Sequence, residues 1–177
     1  FEKIQEADAK FVGHTVPNGI VITCGDDKVL RGIVAKSGRR FTTYGFGQDN
    51  DWVATNIQLE AFGSSYDCYH HGVCVGRFSL GVPGKHNVQN SLAIVALGHE
   101  LKIGLAVIQE TLKTFQGVKR RFERKGESGG VLVVDDYGHH PTEIAATLQT
   151  AKTFDRNRLI VVFQPHRYSR TKFLMNE

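Results

Sequence analysis

The sequence has 177 residues, 41% hydrophobic and 23% charged, a balance that excludes a disordered or collagen-like chain and allows one or two globular domains. The formal charge of +4 with one dense basic run, Lys119–Lys125, does not favour nucleic acid, and no apolar stretch reaches the roughly 18 residues of a membrane span. Three cysteines without a CxxC pair argue against a zinc site and indicate a reducing compartment, so we expect a cytoplasmic protein.

The first half of the chain predicts one helix followed by short strands. Apolar side chains recur at helical spacing over Phe1–Phe11, and Gly13 ends that segment. Runs rich in Val, Ile, Tyr and Phe then alternate with turn residues and predict six strands: Ile20–Cys24, Val29–Val34, Phe41–Tyr44, Val53–Phe62, Tyr66–His71 and Val73–Leu80. The last two form a predicted hairpin that turns at His71 and Gly72.

The second half changes to longer periodic segments. It predicts two helices, His86–Leu101 and Gly104–Gln116, and then a strand, a helix and a strand: Val131–Val134, Pro141–Phe154 and Leu159–Phe163. Because the stretch Arg124–Gly130 is polar and rich in glycine, we place a domain boundary there. The expected domains are residues 1–124 and residues 125–177, and the fold class is α/β.

The segment Gly81–Asn90, GVPGKHNVQN, resembles a phosphate loop only superficially. Its two glycines have two residues between them instead of four, and His86 stands where the Walker pattern requires Ser or Thr. What remains is a loop that enters a helix, with Asn87 and Asn90 three residues apart on one face. A carboxamide can donate and accept, which matches the edge of adenine. Capping of the helix by Asn87 is the alternative interpretation.

Two polar clusters follow predicted strands, DDYGHHPTE over Asp135–Glu143 and FQPHRYSRT over Phe163–Thr171. The carboxyl ends of strands are where open α/β sheets bind their ligands. The clusters combine carboxylates, histidines, arginines and tyrosine hydroxyls. They therefore indicate a site for an anionic ligand whose chemistry involves proton transfer.

Four segments in this order, GKHNVQNSLA, GVKRRFE, DDYGHHPTEI and FQPHRYSRT, resemble the Mur ligase family. The resemblance implies the C-terminal part of a central ATP-binding domain, a mixed sheet with an antiparallel β subdomain and helices, followed by a truncated Rossmann-like domain. Family members carry a UDP-sugar domain and a GxxGKT phosphate loop ahead of these segments. We therefore expect the 177 residues to be a piece of the enzyme that is inactive alone.

The resemblance also implies an activity. We expect an ATP-dependent, amide-forming ligase that joins L-alanine to UDP-N-acetylmuramate through an acyl phosphate, with Mg²⁺ or Mn²⁺, in peptidoglycan precursor synthesis. Developing charge on phosphoryl and acyl oxygens calls for positioned cations. Two alternatives stay open: a ligase that recycles murein tripeptide on the same scaffold, and a non-catalytic nucleotide-binding module.

Family motifs assign the nucleotide-binding residues, which are His86, Asn87, Asn90, Arg121 and Asp136. The two asparagines are expected at adenine, with His86 beside them. Arg121 is expected at the phosphates and ribose, where a forked cation is suited, although a solvated basic turn is the alternative. Asp136 is expected to hold the ribose hydroxyls, and its neighbour Asp135 could instead cap the strand end.

The substrate-binding residues implied by the resemblance are Tyr137, His139, His140, His166, Arg167 and Arg170. His139 and His166 are the catalytic candidates, since we expect them at the ends of adjacent strands, close enough to position the incoming amine. The two arginines are suited to a carboxylate, that of the alanine or that of the acyl group, and a surface position in the first turn of a helix is the alternative for Arg170. We assign no metal ligand, because the family's main magnesium ligands precede Phe1.

Overall fold

A five-stranded mixed sheet forms the centre of the computed structural model, which describes residues 2–155 and 157–174, except the side chain of Arg170. The first three strands pair parallel, the fourth pairs antiparallel with the third, and the fifth pairs antiparallel with the fourth. This arrangement confirms the expected mixed sheet with an antiparallel part. The strands lie in chain order across the sheet: β1 (Val21–Cys24), β2 (Phe41–Gly45), β3 (Trp52–Glu60), β4 (Gly63–His70) and β5 (Val73–Leu80).

The predicted hairpin is confirmed, with β4 and β5 joined by the two residues His71 and Gly72. Their φ angles of 47° and 79° are both in the left-handed region. Two-residue hairpin turns of this kind match the right-handed twist of the strands that they join.

Four helices accompany this sheet: α1 (Glu2–Gly13), α2 (Lys28–Lys36), α3 (Lys85–Glu100) and α4 (Leu105–Thr114). The predicted strand Val29–Val34 is wrong, because it lies within α2. Asp27 caps that helix, its Oδ1 accepting hydrogen bonds from the backbone N–H groups of Val29 (2.9 Å) and Leu30 (3.0 Å). The N-cap outweighs the β preference of the two valines and the isoleucine that follow it.

The core lies between the antiparallel half of the sheet and the two helices α3 and α4. The Tyr66 and Phe78 side chains stack, and each is 0% exposed. Both belong to one cluster of buried residues that α3 and α4 complete, including Trp52, Ala54, Cys68, Leu80, Val88, Leu92, Val95, Ala96, Ile108 and Leu112. The core thus holds α3, which carries the predicted adenine residues, against the sheet.

The C-terminal part of the chain begins with an antiparallel pair, β6 (Glu123–Ser128) and β7 (Val131–Asp135). Most of the stretch in which we placed the domain boundary, Arg124–Gly130, is therefore strand. The β6 sequence ERKGES lacks apolar alternation, and its strand conformation comes from pairing with β7. Helix α5 (Pro141–Ala151) confirms the predicted helix, with Pro141 in its first turn, and α6 (Tyr168–Leu174) follows.

The predicted strand Leu159–Phe163 is wrong. These residues have no regular secondary structure, and Ile160, Val161 and Val162 are 67%, 54% and 93% exposed. A strand requires a neighbour with which to exchange backbone hydrogen bonds. Within residues 2–155 and 157–174, β7 pairs only with β6, so the apolar run has no strand beside it.

Aromatic contacts connect the C-terminal part to the sheet. The Phe154 ring lies 5.1 Å from the Phe62 ring and 5.5 Å from the Phe122 ring, measured between centroids. Helix α5 also approaches the start of α3, so closely that a Cβ on Gly84 would lie 2.5 Å from Thr150 Oγ1. Among the helices that the structure describes, none is long and apolar enough to cross a bilayer.

The parallel junction of β2 and β3 depends on Asp51. Its Oδ2 accepts hydrogen bonds from the Thr43 backbone N–H (2.8 Å) and from the Thr43 hydroxyl (3.0 Å), while His71 Nδ1 lies 3.4 Å from Oδ1. Burial alone would raise the pKa of Asp51, but these contacts outweigh it and hold the pKa below the ordinary 3.8. The folded state therefore favours the carboxylate form.

We predict that this carboxylate contributes stability above about pH 4 and that the contribution is lost as pH falls through the folded-state pKa. Urea unfolding at pH 6 and pH 3 checks this. The free energy of unfolding should fall less between the two values in Asp51→Asn than in the unaltered chain. Glu110→Gln, at an exposed position on α4, is the control and should retain the full pH dependence. Equal pH dependence in both variants would contradict the assignment.

Candidate functional site

A cavity of about 570 Å³ lies between the start of α3 and the start of α5. It brings together all five residues predicted to bind the nucleotide, His86, Asn87, Asn90, Arg121 and Asp136. The other lining residues come from the loop before α3, from the loop after α4 and from α5: Val82, Phe115, Gly117, Val118, Thr142, Glu143, Ala146 and Thr147. One wall is thus built on the sheet domain and the other on the C-terminal part of the chain.

Helix α3 presents its two asparagines differently. Asn87 Nδ2 donates a hydrogen bond to the Pro83 carbonyl (2.7 Å), which closes the loop before the helix. The N-cap is Gly84, with a φ of 100° and no side-chain cap bond, so the alternative that Asn87 caps the helix is wrong. Asn90 is exposed, and within the described part of the chain its amide forms no hydrogen bond. That amide is therefore available to a ligand.

His86 lies on the cavity wall between two charges. Burial lowers the pKa of His86, the nearby Asp136 carboxylate raises it, and the Arg121 guanidinium lowers it again. The net result is a pKa of His86 below the ordinary value of 6.5. The imidazole is therefore neutral at pH 7 and has one donor and one acceptor nitrogen for a ligand in the cavity.

The Asp136 carboxylate is held by two backbone groups. Oδ1 accepts a hydrogen bond from Gly138 N–H (2.6 Å) and Oδ2 accepts one from Phe122 N–H (2.8 Å). These bonds fix its orientation and join the loop after β7 to the turn before β6. Each carboxylate oxygen keeps a second lone-pair direction. Asp136 can therefore still accept two hydroxyl groups.

Arg121 faces Glu143 across the cavity, with Nη1 3.8 Å from Oε1. Sequence reasoning did not assign Glu143 to the site. Its Oε2 accepts hydrogen bonds from the backbone N–H groups of His139 (3.1 Å) and His140 (3.3 Å). The His139 bond is the largest cause of its lowered pKa, with burial opposing. The ionised Glu143 carboxylate is thus the partner of the Arg121 guanidinium when no anionic ligand is bound.

The expected substrate residues Tyr137, His139 and His140 form a compact loop. Arg120 stacks over the Tyr137 ring at 4.5 Å, and His139 Nδ1 lies 3.0 Å from the Tyr137 carbonyl oxygen. His140 is the N-cap of α5, where its Nδ1 accepts a hydrogen bond from Thr142 N–H (3.3 Å). Of the three residues, Tyr137 and His140 are exposed and His139 is half-buried.

Asp135 forms an ion pair with Arg120 at the end of β7, where capping of the strand end was the alternative role. Its Oδ2 lies 3.5 Å from Arg120 Nε. Since Arg120 also covers the Tyr137 ring, this pair helps to fix the loop that follows β7. Asp135 therefore supports the site without lining the cavity.

Among the side chains that the structure describes, the second cluster forms no hydrogen bond or ion pair with the first. His166 and Arg167 are exposed and lie in the irregular segment before α6. The expectation that His139 and His166 end adjacent strands is wrong, because the strand that would precede His166 does not form. The Arg167 carbonyl accepts a hydrogen bond from Thr171 N–H (3.2 Å), which starts α6. Arg170 is in α6, and its side chain lies outside the described residues.

Helix α5 contributes a cavity face that the motifs did not reveal. Thr142 and Glu143 are followed four residues later by Ala146 and Thr147, and all four line the cavity. Residues four apart lie on the same side of a helix. The spacing was therefore a usable signal, and small residues in the second turn leave room for a ligand.

The described side chains do not form a set of ligands for a metal ion. Among residues 2–155 and 157–174, no three His, Cys, Asp or Glu side chains are arranged to hold one. The Asp136 carboxylate is already directed by two backbone donors, and Glu143 faces a cation. We therefore assign neither Mg²⁺ nor Mn²⁺ to any residue of this chain.

Comparison with known families identifies the scaffold. Residues 1–98 match the family model of the Mur ligase middle domain, and residues 120–177 match the Mur ligase, glutamate ligase domain. The chain belongs to the Mur ligase family. The cavity of this Mur ligase chain is built by residues from both matched regions, with Arg121 and Asp136 from the second and the α3 residues from the first.

Curated relatives cover the whole length of the Mur ligase chain. It is 45% identical over 177 residues to a UDP-N-acetylmuramate–L-alanine ligase of Geobacter sp. (strain M21), in an alignment that covers 99% of the chain and 38% of that relative. The chain thus spans well under half of the length of this protein.

Solved structures support the same placement. The UDP-N-acetylmuramate-alanine ligase MurC of Thermotoga maritima is 30% identical with a TM-score of 0.80, covering 97% of this chain and 38% of that one. The murein peptide ligase of Psychrobacter arcticus is 27% identical with a TM-score of 0.61, covering 85% and 32%. Similarity to the muramate–alanine ligase is therefore greater by both measures.

Proposed function

We propose that this chain is part of an ATP-dependent ligase that joins L-alanine to UDP-N-acetylmuramate through an acyl phosphate, in the cytoplasm, for peptidoglycan precursor synthesis. The observation that carries the proposal is the convergence of His86, Asn87, Asn90, Arg121 and Asp136 on one cavity. These residues come from three separate segments of the sequence. The names of the similar proteins support the choice of substrates.

Each wall of the cavity has its own part in binding ATP. Asn90, and the part of Asn87 not used by Pro83, present donors and acceptors to the adenine edge. Asp136 accepts the ribose hydroxyls. Arg121 Nη1, which lies 3.8 Å from Glu143 Oε1, binds a phosphate oxygen in place of that carboxylate. Because Glu143 is held by two backbone N–H groups, it stays in place when the guanidinium moves.

The acceptor side of the reaction is proposed for the exposed loops around the cavity. Tyr137, His139 and His140 follow β7, and His166, Arg167 and Arg170 precede or begin α6. We propose that the two arginines bind the carboxylate of the incoming amino acid and that His139 and His166 position its amine. The proposed domains, residues 1–124 and 125–177, then close on the bound nucleotide to exclude water from the acyl phosphate.

The experiment that tests this function uses the full-length product of the gene that encodes the chain. Phosphate release from ATP should require both UDP-N-acetylmuramate and free L-alanine. Release with murein tripeptide in place of L-alanine would instead support the recycling ligase. Nucleotide binding without phosphate release under either condition would support the non-catalytic module.

The two asparagines should behave differently when each is replaced. We predict that Asn90→Ala raises the Kd for ATP about tenfold in the full-length protein, since paired contacts to adenine are worth about 1–3 kcal/mol. Its melting temperature should not change, because the amide is free. Asn87→Ala should weaken ATP binding and also lower stability by about 1 kcal/mol, as the Pro83 carbonyl loses its donor. Calorimetric titration and thermal melts separate the two effects, and equal melts would contradict the distinction.

A further inference from the structure

Helix α3 is tied to the end of β1 and the loop that follows it through Gln89. Its Nε2 donates hydrogen bonds to Asp26 Oδ2 (3.1 Å) and to Cys24 Sγ (3.2 Å). Successive helical residues are rotated by about 100°, so Gln89 points to a different side from Asn87 and Asn90. This tie thus leaves Asn87 and Asn90 on a different side of the helix.

Asp26 is a fixed point for this tie. Oδ2 accepts a hydrogen bond from Phe46 N–H (2.7 Å), and Oδ1 accepts bonds from Gly47 N–H (3.0 Å) and Asn50 Nδ2 (2.8 Å). A Cβ on Gly45 would collide with the carboxylate, so the packing around it is close. The end of β1 and the loop between β2 and β3 therefore hold the carboxylate where Gln89 meets it.

A second contact lies one helical turn earlier. Lys85 Nζ is 4.6 Å from the centroid of the Phe46 ring, in the same loop that binds Asp26. Residues 85 and 89 are four apart and share a side of α3. Two attachments one turn apart restrain the rotation of the helix about its axis, which a single attachment would leave freer.

We propose that Gln89, held by Asp26, is a positioning residue that sets the rotation of α3 and so directs Asn87 and Asn90 toward bound adenine. The inference rests on the proposed function, since it concerns the same cavity. Without the tie, the first turns of α3 can rotate relative to Asp136 on the opposite wall. The adenine and ribose contacts are then no longer satisfied together.

Gln89→Met in the full-length protein tests this, because methionine keeps the length of the side chain and removes its donor. We expect the Kd for ATP and the ATP KM to rise about 3–10-fold, because part of the free energy of the two lost hydrogen bonds is transmitted to the adenine contacts. The KM for L-alanine and kcat at saturating ATP should not change. Gln89→Glu, which places a second carboxylate against Asp26, should weaken ATP binding further.

Gln109→Met is the matched control. Gln109 Nε2 likewise ties a helix to the sheet, by a single hydrogen bond to the Arg77 carbonyl (3.0 Å), but from α4 and away from the cavity. It should leave the Kd for ATP unchanged at a temperature where both variants are folded. A lowered melting temperature with normal ATP affinity in Gln89→Met would show a purely structural role and overturn the inference.

The inference and the proposed function fail differently. Normal ATP affinity in Gln89→Met, together with weakened affinity in Asn90→Ala, overturns only the positioning role. Normal affinity in Asn90→Ala overturns the assignment of the cavity to adenine, and the positioning role with it. Weakened affinity in Gln89→Met and Asn90→Ala, but not in Gln109→Met, supports both.

Discussion

Replacing Gly84 with alanine is expected to lower the free energy of unfolding by about 2–6 kcal/mol. Gly84 has a φ of 100°, which L side chains rarely adopt, and strain of this kind costs about 1–3 kcal/mol. The new Cβ would also lie 2.5 Å from Thr150 Oγ1 and 2.8 Å from His86 Cε1. Forcing extra volume into a close contact adds about 1–3 kcal/mol. Chemical denaturation measures the sum.

Gly32→Ala is the control for this substitution. Gly32 is inside α2, and a Cβ there meets nothing within 4 Å. Alanine is the better helix former by about 1 kcal/mol, so this variant should be as stable as the unaltered protein or more so. If Gly84→Ala is no less stable than Gly32→Ala, the close approach of α5 to the start of α3 is not as described.

Arg167→Ala and Arg170→Ala are each expected to reduce kcat/KM for L-alanine about 30-fold or more in the full-length enzyme. Under the proposed function, each guanidinium binds a carboxylate that closure removes from water. Loss of one charge-assisted partner then costs about 2–5 kcal/mol, at 1.4 kcal/mol for each factor of ten. The ATP KM should change little, because the nucleotide residues lie on other elements.

Lys172→Ala, on α6 like Arg170, serves as the charge-matched control for both variants and should have normal kinetics for both substrates. Steady-state kinetics with each substrate varied in turn distinguishes the possibilities. Normal alanine kinetics in both arginine variants would exclude these residues from the acceptor side. An effect on the ATP KM alone would instead place them at the nucleotide.

Local signals in the sequence were sufficient where an element is stabilised by its own side chains or by the core. The spacing of apolar residues predicted α3, and the pair Asn87 and Asn90 pointed to one of its faces. The hairpin turn at His71 and Gly72 was also evident. Motifs carried by the family then selected Arg121 and Asp136, which lie far from α3 in sequence but on the same cavity.

Predictions failed where a partner decides the structure. Leu159–Phe163 has the composition of a strand, but a strand forms only beside another strand. The polar segment Glu123–Ser128 is the converse case. It lacks the composition of a strand, but it forms one because it pairs with β7. In α2 a single N-cap, Asp27, outweighed β-branched residues. None of these outcomes is contained in the residues of the segment itself.

The cavity has one wall on the sheet domain and the other on the C-terminal part, which meet through Phe62, Phe122 and Phe154. Any ligand that contacts both walls must therefore strengthen their association, by about 2.7 kcal/mol at a concentration one hundred times its Kd. Thermodynamic reciprocity gives the converse. Loosening the aromatic contact weakens ligand binding by the same factor by which the ligand tightens the contact, even though none of the three phenylalanines lines the cavity. The affinity of the cavity for its ligand thus depends partly on residues outside the cavity.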